Sequence, residues 1–148
     1  MLLAGFDGGQ TSTRCRLSTW HDGVWQTLGE GRGPGVTHLA AAQGQQRFRD
    51  AIHKSFTEAK QACSSHAVAA AVIGASGIEE GSPLQQQGSA LLSEVLQLDA
   101  RQALATGDER TALRGAFPTG AGIVLISGTG MICLGRTDDG REHRCGGW

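Results

Sequence analysis

Apolar positions fall in short blocks along this chain, and their spacing predicts the elements. Leu2 to Phe6 is an apolar run that reads as a buried strand closed by Asp7. Two glycines follow, and the strand pattern resumes through Thr13, Cys15 and Leu17. Strands are expected near 2–7, 12–20 and 23–31, the last two joined across His21-Asp22-Gly23. From 38 to 62, Leu39, Ala42, Phe48, Ala51, Ile52, Phe56 and Ala59 recur mostly three and four residues apart, which predicts a long helix. Gly44 inside it would weaken that helix by up to about 1 kcal/mol. Val68 to Ile73 is almost wholly apolar, as in a central strand covered on both faces, and GASG follows it. A helix near 84–97, a short strand near 101–106, a short helix from Glu109 to Phe117 and, after Pro118, a hairpin over 121–136 complete the pattern. The order is βββαβαβα plus a hairpin.

Two loops in that pattern carry candidate chemistry. Residues 4–14, AGFDGGQTSTR, place a carboxylate, two glycines and three hydroxyls between two strands. Residues 121–136, AGIVLISGTGMICLGR, repeat the design with SGTG at the turn. Each loop offers backbone N–H groups at glycines beside hydroxyls, as a phosphate-binding concavity requires. Asp-Gly is also a common hairpin signal, and turn chemistry alone would account for the first loop. The helix-opening fingerprints GxxxxGK[ST] and GxGxxG between strand and helix are absent. Here the glycines join strand to strand, which points to the actin-like way of gripping ATP between two β-hairpins.

The motifs, in order, are GFDGGQTSTR, GRGPG, GASGI, ATGDERTALRGAF, GIVLISGTGMICLGR and GGW. In this sequence of motifs the chain resembles the sugar kinases of the actin-like superfamily, specifically the N-acetylglucosamine kinase branch with its BadF/BadG-type ATPase relatives. The resemblance implies an α/β fold: an actin-like, ribonuclease H-like ATPase domain over 1–117, then the opening hairpin of a second such domain over 118–148. Two such domains need roughly 200 to 300 residues. The 148 residues are therefore expected to be the N-terminal part of a longer enzyme.

The same resemblance assigns roles. Asp7 would orient Mg²⁺ through water, Gly8, Gly9, Thr11 and Thr13 would line one phosphate wall, and Ser127, Gly128, Thr129 and Gly130 the other. Asp108 would be the general base that accepts a proton from a sugar hydroxyl, the 6-hydroxyl if the amino-sugar analogy holds. By residue type alone, Thr106-Gly107-Asp108 is equally good helix-capping chemistry. Ser76, Gly146 and Gly147 match sugar-facing positions, although ordinary turns use the same residues. Thr37 or His38 stands where these kinases usually carry an asparagine, and Met131 replaces a common serine after SGTG. ATP, Mg²⁺ and an amino sugar such as N-acetylglucosamine or glucosamine are the implied ligands, with a homodimer as one assembly open to the chain. A 2-hydroxyacyl-CoA dehydratase activator and a non-catalytic sugar- or nucleotide-binding module are the alternatives.

Charge and composition narrow the classes. The net charge is −1 with no basic run, so a nucleic-acid partner is not expected. No segment approaches the ~18 to 20 apolar residues of a membrane span, and MLLAGF runs directly into Asp7, so a cytoplasmic protein without a membrane partner is expected. The four cysteines, at 15, 63, 133 and 145, lack the grouping that an iron-sulfur cluster or zinc site needs. They are expected to be reduced and mostly buried. Trp20 and Trp25 flank a hairpin and are expected to pack across it.

Overall fold

A computed structural model describes residues 1–63, 67–127 and 130–147. It contains two sheets. The larger has five strands in the order β3-β2-β1-β4-β5: β1 (Leu2–Gly8), β2 (Ser12–His21), β3 (Val24–Pro34), β4 (Val68–Ala75) and β5 (Ala103–Thr106). β1, β4 and β5 pair in parallel, whereas β2 runs antiparallel to both of its neighbours, β1 and β3, with Trp20 directly opposite Trp25 and their rings edge-on at 5.0 Å. The smaller sheet has β6 (Gly122–Ser127), β7 (Met131–Arg136) and β8 (Glu142–Gly146). The helices are α1 (Gly44–Gln61), α2 (Pro83–Leu96) and α3 (Asp108–Ala116).

The pleat decides which face each helix covers. Leu2, Ala4 and Phe6 of β1, Cys15 and Leu17 of β2, and Ala71, Ile73 and Ala75 of β4 point to one side and form the core with Phe48, Ala51 and Ile52 of α1 and Leu91 and Leu92 of α2. α1 sits unusually close to β3. A Cβ at Gly29 or Gly31 would overlap the carbonyl oxygens of Ala59 and Ser55, and one at Gly33 would lie 2.6 Å from that of Ala51. Alternate glycines on the strand thus meet small residues one helical turn apart. α3 lies on the opposite face, where a Cβ at Gly74 would overlap the Thr111 hydroxyl.

Two expected boundaries need correction, and one strand was not foreseen. The helix expected from 38 begins at Gly44, because residues 35–43 form a turn-rich crossing whose carbonyls, those of His38 and Leu39, leave room for no side chain at 44. The strand expected from 101 begins at Ala103, since Ala100–Gln102 is one turn of 3₁₀ helix capped by the Asp99 side chain. β8 was not expected, and its sequence, EHRCG, carries no apolar alternation. Of the four thiols, Cys15 and Cys63 are buried, Cys133 is half-buried and Cys145 is exposed.

Candidate functional site

Parallel strands deliver their loops to one edge, and three of the expected site segments begin there. In register, Asp7 stands beside Gly74, and Gly74 beside Thr106, so the ends of β1, β4 and β5 are level. Open α/β sheets bind ligands at this carboxyl edge. The loop after β3 reaches the same edge: Ser12 pairs with Pro34, and the Val36 amide donates to the Gly9 carbonyl at 3.0 Å. The next residues pack onto the loop after β4, where a Cβ at Gly77 would lie 2.7 Å from the His38 ring. Thr37, His38, Ser76 and Gly77 are thereby gathered at one corner. The Thr37 hydroxyl is buried without a hydrogen-bond partner among the described residues. Buried hydroxyls normally have one, and a ligand would supply it.

Asp7 and α3 share a face of the sheet. The Asp7 side chain is exposed on the side opposite α1 and α2, the side on which Thr111 of α3 covers Gly74. α3 begins at Asp108, directly after the residue that follows β5. Gly107, not Asp108, is the N-cap, and its lack of a side chain leaves the cap without a side-chain bond. Asp108 is half-buried at the first helical position, its Oδ1 accepting from the Glu109 amide at 3.1 Å. Thr111 Oγ1 donates to the Asp108 carbonyl at 2.8 Å, fixing the turn.

Glu109 is the residue that sequence reasoning missed. It is only 4% exposed, and its carboxylate folds back so far that a Cβ at Gly107 would overlap it. Burial raises its pKa above the ordinary 4.5, its own backbone amide opposes that, hydrogen bonding and repulsion from Asp108 raise it further, and the Arg144 guanidinium lowers it. Arg144 Nη1 also donates to Glu79 Oε1 at 2.9 Å. The only signal in the sequence was a second carboxylate next to Asp108, which looked like ordinary first-turn helix chemistry.

The remaining expected residues are placed as follows. Gly8 is buried between Gly74 and Val36, Gly9 donates to the Ser12 carbonyl at 3.1 Å, and Thr11 is exposed at the turn. Thr13 is fully buried on the Cys15 and Leu17 side, and its hydroxyl, like that of Thr37, has no hydrogen-bond partner among the described residues. Ser127 and Gly130 are exposed at the tip of the β6–β7 hairpin, while Gly128 and Thr129 lie outside the described residues. Gly146 and Gly147 have φ of +85° and +81°, and the Gly147 amide donates to the Met131 carbonyl at 2.8 Å. Among the described residues no three His, Cys, Asp or Glu side chains cluster as a metal cage. A Mg²⁺ ion at Asp7 would therefore take its other ligands from water and phosphate, as Mg²⁺ commonly does.

The hairpin sheet is tied to α3. Arg136 is buried, and it donates from Nε to the Gly120 carbonyl at 2.8 Å and from Nη2 to the Phe117 carbonyl at 2.6 Å. Glu142 of β8, its side chain 14% exposed, accepts from Arg110 at 2.8 Å and from Arg114 at 3.3 Å. Arg110 also pairs with Glu80 at 3.2 Å.

No family model matches the chain. A stretch of 45 residues is 47% identical to the N-acetylmuramic acid/N-acetylglucosamine kinase of Clostridium acetobutylicum, covering 30% of this chain and 15% of that protein. Among solved structures, a candidate N-acetylglucosamine kinase from Chromobacterium violaceum aligns over 99% of this chain and 49% of its own, with 25% identity and a TM-score of 0.71. A second, from Porphyromonas gingivalis, aligns over 95% of this chain and 46% of its own, with 19% identity and a TM-score of 0.66. The fold is the actin-like ATPase fold, and the chain is similar to N-acetylglucosamine kinases in sequence and structure. It spans about half the length of these solved relatives. No helix among the described residues is long and apolar enough to cross a membrane.

Proposed function

We propose that this chain supplies the first phosphate loop, the acceptor-sugar corner and the general base of an ATP-dependent amino-sugar kinase. In this reading residues 1–117 form one domain and residues 118–148 open a second. The observation that carries it is the convergence of Asp7, the Thr37–His38 corner, Ser76 and Asp108 on one edge of the five-stranded sheet, with Asp7 and α3 on the same face. The kinase names of the relatives support the reaction class.

The chemistry follows from that placement. Phosphoryl transfer needs an acceptor held in line and the phosphate charge neutralised, with little covalent work from the protein. The amides at Gly8 and Gly9 and the Thr11 hydroxyl would face the phosphates, with Ser127, Gly128, Thr129 and Gly130 closing from the second hairpin. Mg²⁺ at Asp7, held through water, would neutralise phosphate charge. The Thr37 hydroxyl, Ser76 and the Gly146-Gly147 backbone would orient the sugar. Asp108 would take the proton of the attacking hydroxyl, which we assign as the 6-hydroxyl of N-acetylglucosamine or glucosamine, in the cytoplasm where ATP is available. Glu109, buried beside Asp108, would retain its proton more readily than an ordinary glutamate.

An ADP-release assay across amino sugars and neutral hexoses, on the complete enzyme carrying this chain, tests the proposal. Sugar-dependent ADP release with N-acetylglucosamine or glucosamine is expected. ATP hydrolysis indifferent to every sugar would contradict it.

A further inference from the structure

The three-stranded sheet turns Leu134 and Arg136 inward and leaves its other face open, with Ile123 67% and Leu125 63% exposed. On that open face Cys133 of β7 stands directly opposite Cys145 of β8. Opposed residues of an antiparallel pair project their side chains to the same side, so both thiols face outward together.

The hydrogen-bond pattern fixes their spacing. At one end of the β7–β8 ladder the Gly147 amide donates to the Met131 carbonyl, and beyond the other end the Thr137 amide donates to the Arg141 carbonyl. Hydrogen-bonded and non-hydrogen-bonded rungs alternate in antiparallel sheets. Counting inward from either end places Cys133 and Cys145 on a hydrogen-bonded rung, with Cα atoms about 5.5 Å apart. That distance lies inside the span a disulfide bridges, although the Cβ atoms must approach by about 1 Å.

We propose that Cys133 and Cys145 are an oxidation site, a cross-strand thiol pair that closes to a disulfide with a small-molecule disulfide as oxidant. The Cys145 thiolate attacks one sulfur of the oxidant, forming a mixed disulfide and expelling the first small thiolate. The Cys133 thiolate then attacks the Cys145 sulfur, expelling the second. The two protein thiols are oxidised, the small disulfide is reduced to two thiols, and the protons lost by the cysteines pass to them. The Cβ approach strains the bond and its position leaves it accessible, which makes it easily re-reduced. Closure staples β8 to β7 one residue before Gly146, holding the Gly146-Gly147 turn against Met131. Cys15 and Cys63 are buried in the core and stay thiols.

The test uses the 148-residue chain incubated with glutathione disulfide, quenched by alkylation and measured by intact mass and tryptic mapping. A mass loss of about 2 Da is expected, as two thiols become one disulfide. Two of the four cysteines should remain alkylatable after unfolding, and peptide 115–136 should be linked to peptide 145–148. A dithiol should reverse the link. Cys133→Ser should stop at a glutathione adduct on Cys145, and hydrogen exchange at 145–147 should slow only in the oxidised wild type. A persistent glutathione adduct in the wild type, a Cys145-linked dimer or no reaction would each overturn the proposal. None of these readouts depends on kinase activity.

Discussion

A carboxylate at the first turn of a helix ordinarily stabilises the helix dipole, and Asp108 could do no more than that. Glu109 changes the comparison: a second carboxylate is folded inward against Gly107, in an environment that favours its protonated form. The effect on stability has a definite sign. A group whose folded pKa is raised contributes stability at low pH that is lost as pH climbs through the raised value. Glu109→Gln is therefore expected to flatten the fall in melting temperature as pH rises from about 4.5 toward neutrality, gaining on the wild type along that range. Parallel pH-dependent melts would show it, and identical slopes would place the Glu109 carboxylate in water. Asp7 and Asp108 were legible in the sequence because strand ends and glycines mark them. Glu109 and the burial of Thr13 were not, since each depends on which way one side chain turns at the edge of a sheet.

At the scale of elements, the contact between β3 and α1 rests on absent side chains. Gly29, Gly31 and Gly33 alternate along β3 and meet Ala59, Ser55 and Ala51 of α1 at backbone distance. Gly31→Ala must push the helix off the strand, and overpacking of this kind typically costs ~1 to 3 kcal/mol. Gly5, also within a strand, has open space where a Cβ would stand, with nothing within 4 Å, so Gly5→Ala should cost far less. Urea denaturation of the two variants tests the contrast, and equal midpoints would refute it. The central strands and α2 could be read from apolar runs and from Ser82-Pro83, a cap and first-turn pair. The start of α1 could not, because Leu39 and Ala42 continue the helical spacing into a segment held instead by the first loop. β8 escaped because a short strand with one face open has no apolar alternation to detect.

For the whole molecule, the tie between the two sheets is polar: Glu142 receives both Arg110 and Arg114, and Arg136 closes the end of α3. Glu142→Gln keeps the shape and removes the charge, a loss of ~1 to 3 kcal/mol for charge-assisted bonds this enclosed. Hydrogen exchange should then quicken in β6, β7 and β8 while β1 and β4 stay protected, whereas uniform quickening would mean that the sheets unfold as one. That tie matters because α3 carries Asp108 on one side and meets the second hairpin on the other. The most direct measurement is single-turnover phosphoryl transfer from ATP to the accepted amino sugar by Asp108→Asn in the complete enzyme. A fall of about 10²-fold or more in the transfer rate with sugar affinity nearly unchanged is the predicted result. Transfer at close to the wild-type rate would contradict the account and leave Asp108 as the opening residue of a helix.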